Sequence, residues 1–192
     1  FVPQQFFPDS PRPELIVDLR LAEGASHQGV EESVRRLEGF LDRQHGIAIY
    51  VAWLGAGSPR FYLPLEQIFP QPNVAQMILL PKGLAERETL RKRLPALMAT
   101  EFGEARTRVK LLPNGPPVAY PVQFRDVGTE VPQVRQWADR AKDILRANPN
   151  LRGINDNWNE SVKVLRLEVD QDKARALGVS SQALAQASRT IL

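Results

Sequence analysis

Two successive stretches of this 192-residue chain carry nearly the same order of apolar patterns, which constrains the fold more than composition does. In the first, Leu15, Val17, Leu19 and Leu21 alternate with Ile16, Asp18, Arg20 and Ala22, the period of a strand. Gly24 turns the chain. Ser26 is placed to cap a helix in which Val30, Val34, Leu37 and Leu41 recur at helical spacing, with Gly46 ending it. Ile47 to Trp53 reads as a compact apolar strand that Gly55, Gly57 and Pro59 break. Val74 to Leu80 is a strand and Leu84 to Phe102 a helix with Leu90, Leu94 and Leu97 on one face. Pro95 inside that helix predicts a kink or a split. Ala105, Thr107, Val109 and Leu111 alternate with Arg106, Arg108 and Lys110 as a fourth strand, which completes the order β-α-β-β-α-β.

The segment PNGPP, Pro113 to Pro117, separates this run from the second and is the expected domain boundary. Ala119 to Arg125 reads as a strand, Val131 to Ala147 as a helix aligning Val134, Trp137, Ala141 and Ile144, and Arg152 to Asn157 as a short strand. Val162 to Val169 follows, with Leu165, Leu167 and Val169 alternating against Arg166, Glu168 and Asp170. Asp170 and Asp172 then stand where a helix starts, so Lys173 to Leu177 is expected as a short helical turn that Gly178 stops. Ser180 or Ser181 caps a second helix through Leu184 and Ile191. The expected fold class is therefore α+β, two ferredoxin-like β-α-β-β-α-β units side by side, the second lacking its last strand. The divisions are an extended Pro-rich arm over 1–13, a first unit over 14–112, a linker over 113–117 and an incomplete second unit over 118–192.

Composition excludes several classes. Hydrophobic residues make up 43% of the chain, enough for a packed core, and Lys plus Arg total 25 against 22 for Asp plus Glu, a net +3 with no basic half to serve as a nucleic-acid footprint. The absence of Cys excludes disulfides and thiolate ligands. No run reaches the roughly 20 apolar residues that cross a bilayer. His27 and His45 lie far apart, without a nearby Ser or a paired carboxylate arrangement, and Met77 and Met98 fall on apolar patterns. Neither an enzyme nor a metal or other cofactor is expected.

Candidate site residues fall in loops and on polar strand faces. Gly55 and Gly57 permit unusual backbone angles, Arg60 carries charge, and Phe61 and Tyr62 offer apolar contact: a plain strand connection or a ligand-facing loop. Asn155, Asp156 and Asn157 favour a turn whose Trp158 is either an exposed aromatic or packed on its own sheet. Asp18 and Arg20 in the first unit, and Gln123 and Arg125 in the second, point away from the core-facing residues; they form a solvated face or line a cleft.

Four segments in order carry a resemblance: Phe1 to Ser26, GAGSPRFYLP (Gly55 to Pro64), PVAYPVQFRDVG (Pro117 to Gly128) and DQDKARALGVSSQ (Asp170 to Gln182). Together they are similar to the second large periplasmic loop of resistance-nodulation-division (RND) efflux transporters, over essentially the whole chain. The resemblance implies a periplasmic portion of an inner-membrane, proton-driven multidrug pump, with the arm descending to the membrane and amphiphilic small molecules bound in a cleft between the two units. It makes Gly55 to Tyr62 the loop dividing two substrate pockets and places Asn155, Asn157 and Trp158 at the cleft border. It also implies a homotrimer, a periplasmic adaptor protein, an outer-membrane channel, and an inserted docking domain interrupting the second unit. Pro59 is expected to stiffen this loop, and Arg60 stands where hydrophobic-drug pumps tend to be aromatic. The alternative is a stand-alone ligand- or RNA-binding module, but RNA platforms need stacked aromatics on central strands. A small hydrolase would need Arg and Asn in the first strand-helix turn, where AEGAS stands.

Overall fold

Leu15, Val17 and Leu19 are all buried, and the strand they define, β1 (Leu15–Leu21), is one of the two inner members of the sheet around which the first half folds. The computed structural model describes Phe7 and residues 10–116, 118, 120–164 and 166–191; Phe6, Pro117, Ala119, Leu165 and Leu192 lie outside the described residues. After β1 come α1 (His27–Leu41), β2 (Ile47–Leu54), β3 (Val74–Pro81), α2 (Leu84–Glu101) and β4 (Ala105–Leu111). The four strands pair antiparallel in the order β2-β3-β1-β4, the arrangement of a split β-α-β unit.

Local chemistry explains the helices. The Ser26 hydroxyl accepts from the Gly29 N–H at 3.1 Å, capping α1, and Val30, Val34, Leu37 and Leu41 turn one stripe to the sheet. α2 runs through Pro95 without splitting. An interior proline costs about 3 kcal/mol or more, whereas burying Leu90, Leu94 and Met98 stabilises by about 1.5–3 kcal/mol each, so packing outweighs the defect. Arg87, nearly buried on the same helix, donates from Nη1 to the carbonyls of Ser10 and Arg12, both at 2.7 Å, and fastens residues 10–12 to α2.

By compactness the chain divides into Phe1–Ser161 and Val162–Leu192. Beyond β4 the first unit contains α3 (Val131–Arg146), none of whose residues is buried. The second unit holds α4 (Gln171–Ala176) and α5 (Ser181–Ile191). Asp170 Oδ1 accepts from the N–H groups of Asp172 and Lys173 at 3.2 and 3.1 Å, as the two-carboxylate start predicts. Gly178, at φ +69°, ends α4 in a Schellman motif: its N–H reaches Arg175 O, and the Val179 N–H reaches Ala174 O. The Ser180 hydroxyl caps α5 by accepting from the Ala183 N–H at 3.1 Å.

One expectation is corrected. Among the described residues, none of Ala119 to Arg125, Arg152 to Asn157 or Val162 to Val169 forms a strand, and no second sheet is present. A strand exists only when its N–H and C=O groups find a ladder partner. Alternation supplies a face but no partner: Phe124 stays 72% and Val164 81% exposed.

Candidate functional site

The helices cover one face of the sheet and leave the other open. Directly opposed residues of an antiparallel pair share a face, so the register puts Ile16, Asp18 and Arg20 of β1 with Gln76 and Ile78 of β3 and Arg106, Arg108 and Lys110 of β4. β2 adds Ile49, Val51 and Trp53, opposite Leu80, Ile78 and Gln76. The open face is thus apolar along β2 and polar along β4. Trp53, the last residue of the apolar run read as a strand, sits on this face, while Tyr50, Ala52 and Leu54 pack on the core.

The connection from β2 to β3, residues 55–73, folds back over this face. Its base is fixed by backbone bonds: the Gly55 N–H donates to Val74 O at 2.8 Å, and the Gln71 N–H donates to Gly55 O at 2.9 Å. Gly55 lies at φ +72°, where a side chain is strained, and a Cβ on Gly57 would stand 2.9 Å from the Ile68 Cβ and 3.2 Å from its nitrogen. Both glycines are therefore required by geometry. Further along, Tyr62 and Leu65 pack against Ile16 and Leu112, and the Arg12 guanidinium stands 5.3 Å from the Tyr62 ring centre. Arg60 Nε donates to Leu63 O at 3.1 Å. The loop leaves Phe61, Leu63 and Phe69 exposed.

A chain of polar contacts holds this loop to the sheet. Gln76, 1% exposed, accepts at Oε1 from both the N–H and the hydroxyl of Ser58, at 2.9 and 2.8 Å. Its Nε2 donates to Asp18 Oδ1 at 2.8 Å, and Lys110 Nζ meets Asp18 Oδ2 at 2.6 Å. Lys110 also lies 3.4 Å from Glu66, and Arg108, 3.8 Å from Glu66, stacks over Tyr120 at 4.6 Å. Every polar end of the Gln76 amide is used except one N–H, as burial of such a group demands.

The turn Asn155 to Glu160 is clamped from two sides within the first unit. Asp156 Oδ1 accepts from the Trp158 N–H at 2.9 Å and Oδ2 pairs with Lys142 of α3 at 2.5 Å, while Arg135 stacks over Trp158 at 4.9 Å. From the sheet, Arg106 donates to Asn159 Oδ1 at 3.2 Å and to Glu160 at 2.8 Å, and the Glu23 N–H donates to Glu160 at 3.4 Å. Partial burial opposes ionisation of Asp156, but Lys142 and the N–H groups of Trp158 and Asn159 outweigh it and hold its carboxyl below the usual range. The same competition, with backbone N–H groups and Arg106 prevailing over burial, lowers Glu160. Asp139 and Asp156 in turn raise Lys142.

Of the residues singled out from sequence, Asp18, Gly55, Gly57 and Tyr62 converge on the open face, and Arg60 and Phe61 belong to the loop over it. Both oxygens of Asp18 are occupied, and Arg20 pairs with Glu23 at 3.2 Å. Asn155 Nδ2 donates to Gly153 O at 2.6 Å, Gln123 donates to Tyr120 O at 2.8 Å, Arg125 is exposed, and Asn157 and Trp158 belong to the clamped turn. Sequence reasoning missed Gln76, Ser58, Glu66 and Lys110. The readable signal was Gln76, a lone amide inside the apolar run Val74 to Leu80, which a buried strand tolerates only with partners.

The class is an α+β module of split β-α-β topology, with one sheet face open beneath a tethered loop. The chain belongs to the AcrB/AcrD/AcrF family, whose model matches residues 1–192, and it is a porter-type fragment of an RND transporter. No curated protein matches it. Among solved structures it is similar to a mutant of SnoaB, a cofactor-independent oxygenase from Streptomyces nogalater, at 14% identity and a TM-score of 0.34, covering 56% of this chain and 99% of that one. That likeness is too slight to bear on fold or activity. No helix among the described residues is long and apolar enough to cross a membrane.

Proposed function

We propose that the chain is the periplasmic substrate-binding and conduit part of a proton-driven efflux pump, taking up amphiphilic small molecules without covalent chemistry. The observation that carries this reading is the two-sided open face: an apolar strip of Ile49, Val51 and Trp53 on one edge strand and a polar strip of Arg106, Arg108 and Lys110 on the other, with Phe61, Leu63 and Phe69 exposed on the loop tethered between them. A surface with apolar area and a few fixed polar groups suits ligands that carry both characters. The open face would form one wall of the substrate cleft. Family membership supports a homotrimer in the inner membrane, joined to a periplasmic adaptor and an outer-membrane channel, with export driven by switching between open and closed clefts.

An RNA platform is not favoured, because on this face the central strands β1 and β3 carry Ile16, Asp18, Arg20, Gln76 and Ile78 and no aromatic, and the loop buries Ile16 and Gln76. Titration with a lipophilic fluorescent dye tests the proposal. Val51→Ser and Leu63→Ser, both at exposed positions, are expected to weaken binding about tenfold, the equivalent of about 1.4 kcal/mol. Equal affinity of both variants and the parent would overturn the reading.

A further inference from the structure

We propose that Gln76 is a positioning residue: through Ser58 on one side and Asp18, Lys110 and Glu66 on the other, it latches the loop 55–73 to the open face and so sets the size of ligand the site accepts. The ligand part of this inference rests on the reading above; the latch itself does not.

The loop has two kinds of attachment. Gly55 and Gly57 fix its base by backbone bonds to Val74, Gln71 and Ile68, and Tyr62 and Leu65 pack on Ile16 and Leu112. Those contacts are apolar or lie at the stem. Asn73 adds polar bonds to Leu21 at the stem; away from the stem, Ser58 and Glu66 both run to the Asp18 carboxylate, one through the Gln76 amide and the other through the Lys110 ammonium, with Arg108 a second, longer contact of Glu66 at 3.8 Å. Gln76 is the link through which the Ser58 end passes, and it is buried, so water cannot replace its partners. An apolar residue at this strand position would pack as well and hold no loop. The amide therefore fixes where the segment bearing Phe61, Leu63 and Phe69 stands over the sheet.

Hydrogen exchange of the full chain, with titration by a short and a long dye of the same lipophilic class, tests the proposal. Gln76→Leu keeps the volume and removes every bond; it is expected to speed exchange at the Ser58 amide about tenfold or more, leave β1 and β3 amides protected, and shift the affinity ratio toward the long dye. Gln76→Glu is expected to act alike, because its carboxylate faces that of Asp18. Adding Asp18→Asn to Gln76→Glu is expected to restore both readouts: the new amide donates to Glu Oε2, Ser58 donates to Oε1, and Lys110 keeps an acceptor. A role in packing alone predicts no rescue. Unchanged exchange in Gln76→Leu overturns the latch, and faster exchange with an unchanged dye ratio overturns its role in ligand size. If neither dye binds the parent chain, the functional reading and the ligand-size role fail together, while exchange still decides the latch. Should Gln76→Leu lose protection throughout β1 and β3, Ser58→Ala, which removes the hydroxyl bond and leaves the residue 58 N–H on Gln76 Oε1, decides by a smaller change in the same readouts.

Discussion

Residues 14–112 and residues 118–191 carry similar element patterns in sequence, yet only the first closes around a core. In the first, α1 and α2 bury Val30, Val34, Leu37, Leu90, Leu94 and Met98 against a four-stranded sheet. In the second, α3 has Trp137 and Ile144 on its apolar side, both exposed, and no strand pairs among the described residues. A helix stripe and a strand face are offers of burial that must meet one another, and most helical stability in a protein comes from that meeting. The first region has four strands to share its ladder; the second has apolar alternation without a ladder.

The contrast can be broken most directly at the core. Leu94→Ala is expected to destabilise the first region by about 2–5 kcal/mol, whereas Trp137→Ala and Leu167→Ala should each stay within about 0.5 kcal/mol, as exposed positions do. Urea unfolding followed by circular dichroism checks this; a comparable loss at Trp137 would show that α3 is covered. Arg87→Ala comes next: it strips two buried or half-buried carbonyls of their donor, an expected cost of about 1–3 kcal/mol, read as a lower urea midpoint and faster exchange near residues 10–12. Helix caps sharpen the comparison at about 1 kcal/mol. Ser26→Ala should lower the global midpoint, while Asp170→Ala should fray only α4, seen as local exchange.

The smallest effect is acid sensitivity of the clamped turn. Asp156 and Glu160 are lowered in the folded chain, so what they contribute is fully present above their unfolded values, about 4, and is lost as pH falls below that range through the lowered folded values. Glu160 is half exposed, so solvent screens much of its share. Trp158 fluorescence in a Trp53→Phe, Trp137→Phe background should report release of the turn below about pH 4, and Asp156→Asn should flatten that transition. A transition unmoved by Asp156→Asn would remove the turn's carboxylate from the account.

Much of the first region was legible. The apolar period of Leu15 to Leu21, the Ser26 cap and the helical stripe ending at Leu41 all stand where the pattern puts them. Pro95 does not split α2, because its penalty is local and its compensation is tertiary. In the site, the glycines at 55 and 57 were legible as conformational requirements. The engagement of Asp18 was not, since alternation says which face a residue occupies and nothing about what folds onto that face. Trp53 shows the same limit: an apolar run names a strand but not the side on which each residue ends.

The sequence by itself determined what is decided within a few residues: periods of 2 and 3.6, the caps at Ser26, Asp170 and Ser180, and the left-handed stop at Gly178. The tertiary structure alone decided the strand order β2-β3-β1-β4, the pairing of Asp18 with Gln76 across 58 positions, and the failure of residues 118–169 to form a ladder among the described residues. The reason is physical. A cap or a turn finds its partners along the chain, at almost no closure entropy, whereas a ladder or a buried amide network forms only when distant segments meet and the burial they gain exceeds the entropy of bringing them together.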